Sequence, residues 1–285
     1  VYLNGTEMNQ IGDTDEYYTI NRPSDFGCVG DMNCVLYIEA TDILGNVNDT
    51  TYITLEVDDA VPKVGELEIN DSDAIVKSSD EINFTVNVTD THDVNVYLNG
   101  TEMSRLGDTN EYSTVNRTRD FGCLGDMECS LYVEAVDSLG NVNNSIYVTL
   151  EVDDAAPEVG EILVNDTDGI VRSIDELNFT VNVEDTHNVS VYLNGTEMNQ
   201  IGETNEYSIV NRTRDFGCEG DMNCTLYVEA IDIAGNVNDT THITLEVDDA
   251  VPEVGEIVIN DSDGIVRSDH SINFTVNVTD VHNVS

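Results

Sequence analysis

Ile82-Asn83-Phe84-Thr85-Val86-Asn87-Val88 alternates apolar and polar side chains without a break. A period of two puts all the apolar side chains on one face of an extended strand, so the segment is predicted to be a half-buried β-strand. It returns ninety-five residues later as Leu177-Asn178-Phe179-Thr180-Val181-Asn182-Val183, and a third time over Ile272–Val278. A second stretch keeps the same period: Val1-Tyr2-Leu3-Asn4-Gly5-Thr6-Glu7-Met8 recurs letter for letter at Val96–Met103 and Val191–Met198. Near-identical copies at a fixed spacing define a tandem array of one module.

The linker signal is Val-Asp-Asp-Ala-(Val/Ala)-Pro, at Val57–Pro62, Val152–Pro157 and Val247–Pro252. Cutting there gives two complete modules, 62–156 and 157–251. They are flanked by the C-terminal part of a module, 1–61, and the N-terminal part of a next one, 252–285. The two parts add up to one period, so the chain reads as a window on a longer periodic polymer. Residues 1–61 lack the alternating strand and are expected to expose the face it covers elsewhere. Residues 252–285 of one copy are then expected to complete residues 1–61 of the next, by covalent continuation or by strand donation between subunits.

Within module 62–156, Leu67 and Ile69, then Val94, Val96 and Leu98, then Leu131, Val133 and Ala135, then Ile146, Val148, Leu150 and Val152 also alternate with polar residues. Glu111–Asn116 reads as extended, and no 3.6-residue apolar period persists over a helical length. Six or seven short antiparallel strands in about 95 residues describe a β-sandwich. The fold class is all-β, a tandem array of such sandwiches.

The stretch Glu134-Ala135-Val136-Asp137-Ser138-Leu139-Gly140-Asn141, followed by Val152-Asp153-Asp154 and a proline, stands again at Glu39–Asn46 and Glu229–Asn236. It resembles the bacterial and archaeal immunoglobulin-like and cadherin-like repeats of cell-surface proteins. The resemblance implies immunoglobulin-like sandwiches strung on short linkers in surface-layer proteins, adhesins or surface fibres. The chain departs from antibody-type domains in having no Trp and no widely spaced cysteine pair.

With 57 acidic against 10 basic residues and a net charge of −47, the chain repels nucleic acid, anionic membranes and its own neighbouring modules. Its regularly spaced Val, Ile, Leu and Tyr argue against disorder. The six cysteines form three Cys-x5-Cys pairs, Cys28/Cys34, Cys123/Cys129 and Cys218/Cys224. They read as short disulfides of an oxidising compartment. A metal pair would need two more soft ligands, and no second Cys pair or His-x3-His is present. Nineteen Asn-x-Ser/Thr tripeptides, among them Asn48, Asn83, Asn116, Asn178, Asn211, Asn238 and Asn273, suit an extracellular glycoprotein. No apolar run reaches transmembrane length, so no direct membrane insertion is expected of this window.

Catalysis finds little support. The carboxylates fall in turns or on outward strand positions, where nothing raises their pKa for acid catalysis. No nucleophile stands beside a base, and His92, His187 and His282 read as solvated turn residues in Asp-x-His. The outward Tyr37, Tyr132 and Tyr227 offer a sugar platform or, more simply, cross-strand packing. Calcium is the chemical candidate. Its oxygens would come from the linker (Asp58, Asp59, Asp153, Asp154, Asp248, Asp249), from the turn holding Asp137, Asn141 and Asn143, and from the Asn-Asp-x-Asp turns at Asp71/Asp73, Asp166/Asp168 and Asp261/Asp263. The same residues are also ordinary turn formers. Among the few cations, Arg117, Arg119, Arg212 and Arg214 precede the cysteine loops, and Lys77, Arg172 and Arg267 share a second position. They read as docking points for a neighbouring module or as salt bridges within one. The functional expectation is a non-catalytic structural region of an extracellular filament, stalk or surface layer, partnered by copies of itself. The alternative is an adhesin that binds surface glycans or a protein through module loops.

The cysteine reading has a direct check. Peptide mapping without reduction should recover Cys28–Cys34, Cys123–Cys129 and Cys218–Cys224 as linked pairs. Reduction should cost each module about 2 kcal/mol, the chain-entropy value for so small a loop. Free thiols at all six positions would remove the extracellular assignment too.

Overall fold

The computed structural model describes residues 1–282. The last three residues of the predicted partial module 252–285 lie outside the described residues. Strands dominate, and the helical segments among the described residues are single 3-10 turns at Pro23–Phe26, Thr118–Phe121 and Thr213–Phe216. The chain divides into two compact units, Val1–Asp153 and Asp154–Ser285.

In the first unit, residues 63–152 form a two-sheet sandwich. One sheet runs in the order Ser104–Arg105, Glu111–Asn116, Ile82–Thr89, Lys63–Ile69. The other runs Thr101–Glu102, Val94–Leu98, Met127–Asp137, Val142–Val152, Ile75–Val76. All pairings are antiparallel except the last, in which Glu151 and Val152 lie parallel to Ile75 and Val76. The alternating strand behaves as its sequence demands: Ile82, Phe84, Val86 and Val88 are buried while Asn83 and Asn87 are exposed. They face Leu98, Leu131, Val133, Leu150 and Val152 of the other sheet, in one contiguous core. Phe84 meets Phe121 of the 3-10 turn edge-on, with ring centroids 6.2 Å apart, the arrangement aromatic quadrupoles favour. This is an immunoglobulin-like fold.

The first strand changes sheets, and the sequence around the crossing explains how. Lys63–Ile69 pairs with Ile82–Thr89 through a bulge between Val64 and Leu67. Gly65 sits in that bulge, where a Cβ would lie 3.2 Å from the Asn87 carbonyl oxygen. The chain then turns at Asp71, whose carboxylate accepts the N–H of Ala74 at 2.7 Å, and delivers Val76 to the second sheet.

The invariant octapeptide is a hairpin clamp. Asn99 and Gly100 both have positive φ, 44° and 82°, as a type I′ turn requires of both central residues. The Asn99 side-chain oxygen accepts the N–H of Tyr132 at 2.8 Å, tying the turn to the long central strand. Asn4 and Asn194 make the same bond to Tyr37 and Tyr227.

The second unit contains the same sandwich over residues 158–247, again with a parallel pairing, here Ile170–Val171 against His242–Val247. Its core repeats Phe179, Val181, Leu193, Leu226, Val228 and Leu245. The partial modules are incomplete sandwiches. Tyr2–Leu3, Thr6–Glu7, Met32–Thr41 and Val47–Val57 form one four-stranded sheet. Asn9–Gln10 and Tyr17–Tyr18 form a separate two-residue ladder, in which Tyr17 is 38% exposed, against 6% for its counterpart Tyr112. In residues 253–279 only two-residue ladders form, and Phe274 is 66% exposed where Phe84 and Phe179 are fully covered.

One backbone position gives a stability test. Ala74 holds φ 62°, while its counterparts Gly169 and Gly264 hold 78° and 67°. A Cβ in the left-handed region costs about 1–2 kcal/mol, partly offset by glycine's greater unfolded-state freedom. Ala74→Gly should therefore raise the unfolding free energy of its module by about 0.5–1 kcal/mol, and Gly169→Ala should lower that of the other sandwich. Denaturant unfolding of the two variants checks both signs.

Candidate functional site at the module junction

The cysteine loop and the linker form one corner. The disulfides Cys28–Cys34, Cys123–Cys129 and Cys218–Cys224 span Cα distances of 5.6, 5.8 and 5.7 Å, and Cys34, Cys129 and Cys224 are buried in their cores. The second linker aspartate turns back onto this loop. Asp59 accepts the N–H of Gly30 at 2.7 Å, and Asp31 in the loop accepts the N–H groups of Asp59 and Ala60 at 3.1 and 3.0 Å. Asp249 repeats the bond to Gly220 at 2.7 Å and also accepts from Ser173 at 2.8 Å. Those bonds, the one from the Ser173 N–H foremost, hold the Asp249 carboxyl below the usual carboxylate range.

The first linker aspartate turns forward. Asp58 Oδ2 lies 2.5 Å from Nδ1 of His92 in the following module. Asp90 Oδ1 accepts the backbone N–H of His92 at 2.8 Å and stands 3.9 Å from the same ring nitrogen. Asp58 and Asp90 are buried, with side chains 3% and 4% exposed, while His92 is one quarter exposed. The turn after the long central strand closes the other side. Asn141 donates to the Asp58 carbonyl at 3.2 Å, and Asn143 donates to the Pro62 carbonyl at 2.8 Å. The second unit has the corresponding group: His282 Nδ1 is hydrogen-bonded to Asp248 Oδ2 at 2.7 Å, with Glu246 3.4 Å from Nε2. The Asp248 bond raises the His282 pKa above the ordinary imidazole value. Asp153, Asp185 and His187 occupy the same repeat positions in sequence.

This arrangement revises the reading of the histidines as solvated turn residues, since His92 and His282 are held against linker aspartates. Their three-fold recurrence among only five histidines was the available signal. The partner aspartate, 34 residues earlier, was not visible. The calcium set expected from sequence comes together only in part. Asp137 takes the N–H groups of Leu139 and Asn141 at 2.8 and 2.9 Å and the Asn141 side chain at 2.8 Å. Asp59 and Asp249 cap backbone. Asp153 closes the first unit and Asp154 opens the second. Asp58 and Asp248 face histidine.

Arg117, Arg172, Arg212 and Arg267 pair within their own modules. Arg117 bonds Glu81 and, at 3.0 Å, the Ser79 carbonyl. Arg212 pairs with Glu176 at 2.5 Å, Arg172 with Asp175 at 2.8 Å and Arg267 with Asp269 at 3.3 Å. Arg119 and Arg214 are exposed and Lys77 is half-buried. Of the sequon asparagines, Asn48, Asn83, Asn178 and Asn273 are exposed, while Asn116 and Asn211 are half-buried. Asn238 is half-buried and donates its amide to the Pro157 carbonyl at 2.9 Å. No helix among the described residues is long and apolar enough to cross a membrane.

No family model matches the chain, and no curated protein sequence does either. Among solved structures it is similar to the fibronectin(III)-like modules of Clostridium thermocellum CbhA, at 17% identity and a TM-score of 0.36 over 64% of this chain and 92% of that one. It is similar to a structure from a 1.5-MDa bacterial ice-binding adhesin, at 19% and 0.40 over 79% and 77%. A tandem pair of titin Ig domains gives 12% and 0.21 over 65% and 97%. The fold assignment rests on the strand pairing itself.

The Asp137 turn sets an acid limit. Burial pushes its carboxyl up, but the bonds from Asn141, Leu139 and Gly140 outweigh it and hold it below the usual carboxylate range. A depressed folded-state pKa contributes stability that is present above the unfolded value and lost as pH falls through the folded one. Asp137→Ala should lower the melting temperature at pH 7 and flatten its decline below pH 4. Thermal melts of both proteins from pH 7 to pH 2 check this.

Proposed function

We propose that the chain is a non-catalytic structural stretch of an extracellular filament, stalk or surface layer, in which immunoglobulin-like modules repeat every ninety-five residues. One observation carries the reading. The faces left open in the two partial modules are complementary parts of the same sandwich: the sheet of residues 1–57 lacks the strand that covers it in the complete modules, and Phe274 and Val276 of that strand are 66% and 44% exposed. Exposing a central strand forfeits several kcal/mol at about 25 cal/mol per Å² of apolar surface, as much as such a module's whole stability. Completion by a further copy, in the same chain or in a neighbouring subunit, removes that cost and extends the array. The disulfides support an oxidising compartment for the array, and its acidity favours solubility of long arrays.

The test is a chain in which Ser285 runs directly into Val1 of a second copy. Amide exchange over Phe274–Thr279 should slow to match Phe84–Thr89, and the largest dimension from small-angle scattering should grow by a constant step with each added copy. On intact producing cells, external protease should remove the protein. Fast exchange at the joined repeat, or protection from protease until lysis, would overturn the reading.

A further inference from the structure

The carboxylate pair in front of His92 is unusual among the acids of this protein. Most are exposed or are turn residues accepting backbone N–H groups. Asp58 Oδ1 does so, from Ala60 at 3.1 Å, but its Oδ2 is fully buried and has no hydrogen-bond partner. It lies 2.5 Å from His92 Nδ1 without hydrogen-bond alignment, and that nitrogen already contacts the Thr91 hydroxyl at 3.1 Å. A buried carboxylate oxygen facing a ring nitrogen needs either a ring N–H aimed at it or a cation between them, and the contact at Asp58 lacks the alignment an N–H would give. Asp90 Oδ1 adds a third donor atom: the three ligand atoms of Asp58, Asp90 and His92 all lie within 4.8 Å of one another, as do those of Asp248, Asp280 and His282.

We infer that each of these junctions is a divalent metal site in which Asp58, Asp90 and His92, or Asp248, Asp280 and His282, bind one d-block cation of the zinc class. The donor set decides the ion. Calcium takes six to eight oxygens, whereas one imidazole with two carboxylates suits zinc, which binds nitrogen and oxygen at about 2.0–2.2 Å. A tetrahedral site of that size spaces its ligand atoms about 3.3 Å apart, so rotating the imidazole opens the 2.5 Å contact enough to admit the ion. The quarter-exposed ring gives an entry path, and water fills the remaining position. The ion ties the linker of one module to the turn of the next and neutralises the acids gathered there. The site does not depend on the array reaching beyond this chain.

The experiment is isothermal titration of the full chain with zinc chloride, and separately with calcium chloride, in buffers of different protonation enthalpy. Zinc should bind saturably, the buffer comparison separating its binding heat from that of any proton exchange. Its stoichiometry should fall by one site in His92→Ala, by one in His282→Ala and by two in the double variant, and stay unchanged in His270→Ala. Cobalt(II) provides a second readout, a visible d–d band that loses the same share in each variant, with circular dichroism checking that the variants fold. Unchanged zinc stoichiometry in the double variant, no saturable zinc binding, or calcium binding as tightly at sites indifferent to His92 and His282 would each overturn the assignment.

Discussion

A β-sheet with one apolar face cannot stand alone in water, and the rest of this protein follows from how that face is covered. Within each complete module the answer is a second sheet of the same chain, with Phe84 or Phe179 against Leu131, Leu150 or their repeats. Each core is small, because a module of this length buries a modest fraction of its surface. It is supplemented by a buried disulfide and by turns that satisfy their own backbone groups. Half a module has no such cover, and its core residues are correspondingly exposed.

The acidity has a local origin. Asp42, Asp71, Asp137, Asp166 and Asp232 each accept backbone N–H groups across a turn, which is the side-chain role that favours Asp there. A sandwich with many tight turns, repeated along the chain, accumulates such residues until the net charge reaches −47. Arg117, Arg172, Arg212 and Arg267 are paired with carboxylates of their own modules, and exposed pairs of that kind contribute little to stability. Charge therefore falls to the junctions as an unsolved term, where the linker acids sit closest to the turns of the next module. The Asp-Asp dipeptide divides the work. Asp59 anchors backwards on the disulfide loop, and Asp58 reaches forward to His92.

The strands were legible because burial on one face writes a two-residue period, and Ile82–Val88, Leu131–Ala135 and Ile146–Val152 carry it plainly. The sheet switch was not, since Ile75–Val76 is two residues long and too short to show a period. The edge pieces Thr101–Glu102 and Ser104–Arg105 escaped notice for the same reason. The candidate site was half legible. Its linker aspartates stood out, but a histidine in a turn looks solvated until the chain brings Asp58 to it from the preceding module. The turn residues Asp137 and Asn141 looked like free oxygen ligands because sequence does not reveal that they bond to each other. Contacts within a few residues are written locally; those across a junction depend on packing.

Near-identical neighbours carry a folding hazard, since a strand of one copy fits the sheet of the next and multidomain chains misassemble in that way. The position of the disulfides limits it. A Cys-x5-Cys pair closes within its own loop, six residues apart, so the correct partner is always the nearer one and cross-pairing between copies faces a far larger loop-closure cost. The closed loop in turn presents Gly30 and Asp31 to the linker, which fixes the exit direction of the chain before the next module forms. The bond is therefore worth more to the order of assembly than its small entropic contribution to one module suggests. It makes each copy commit to its own core, and it leaves the forward-facing aspartate to wait for its neighbour.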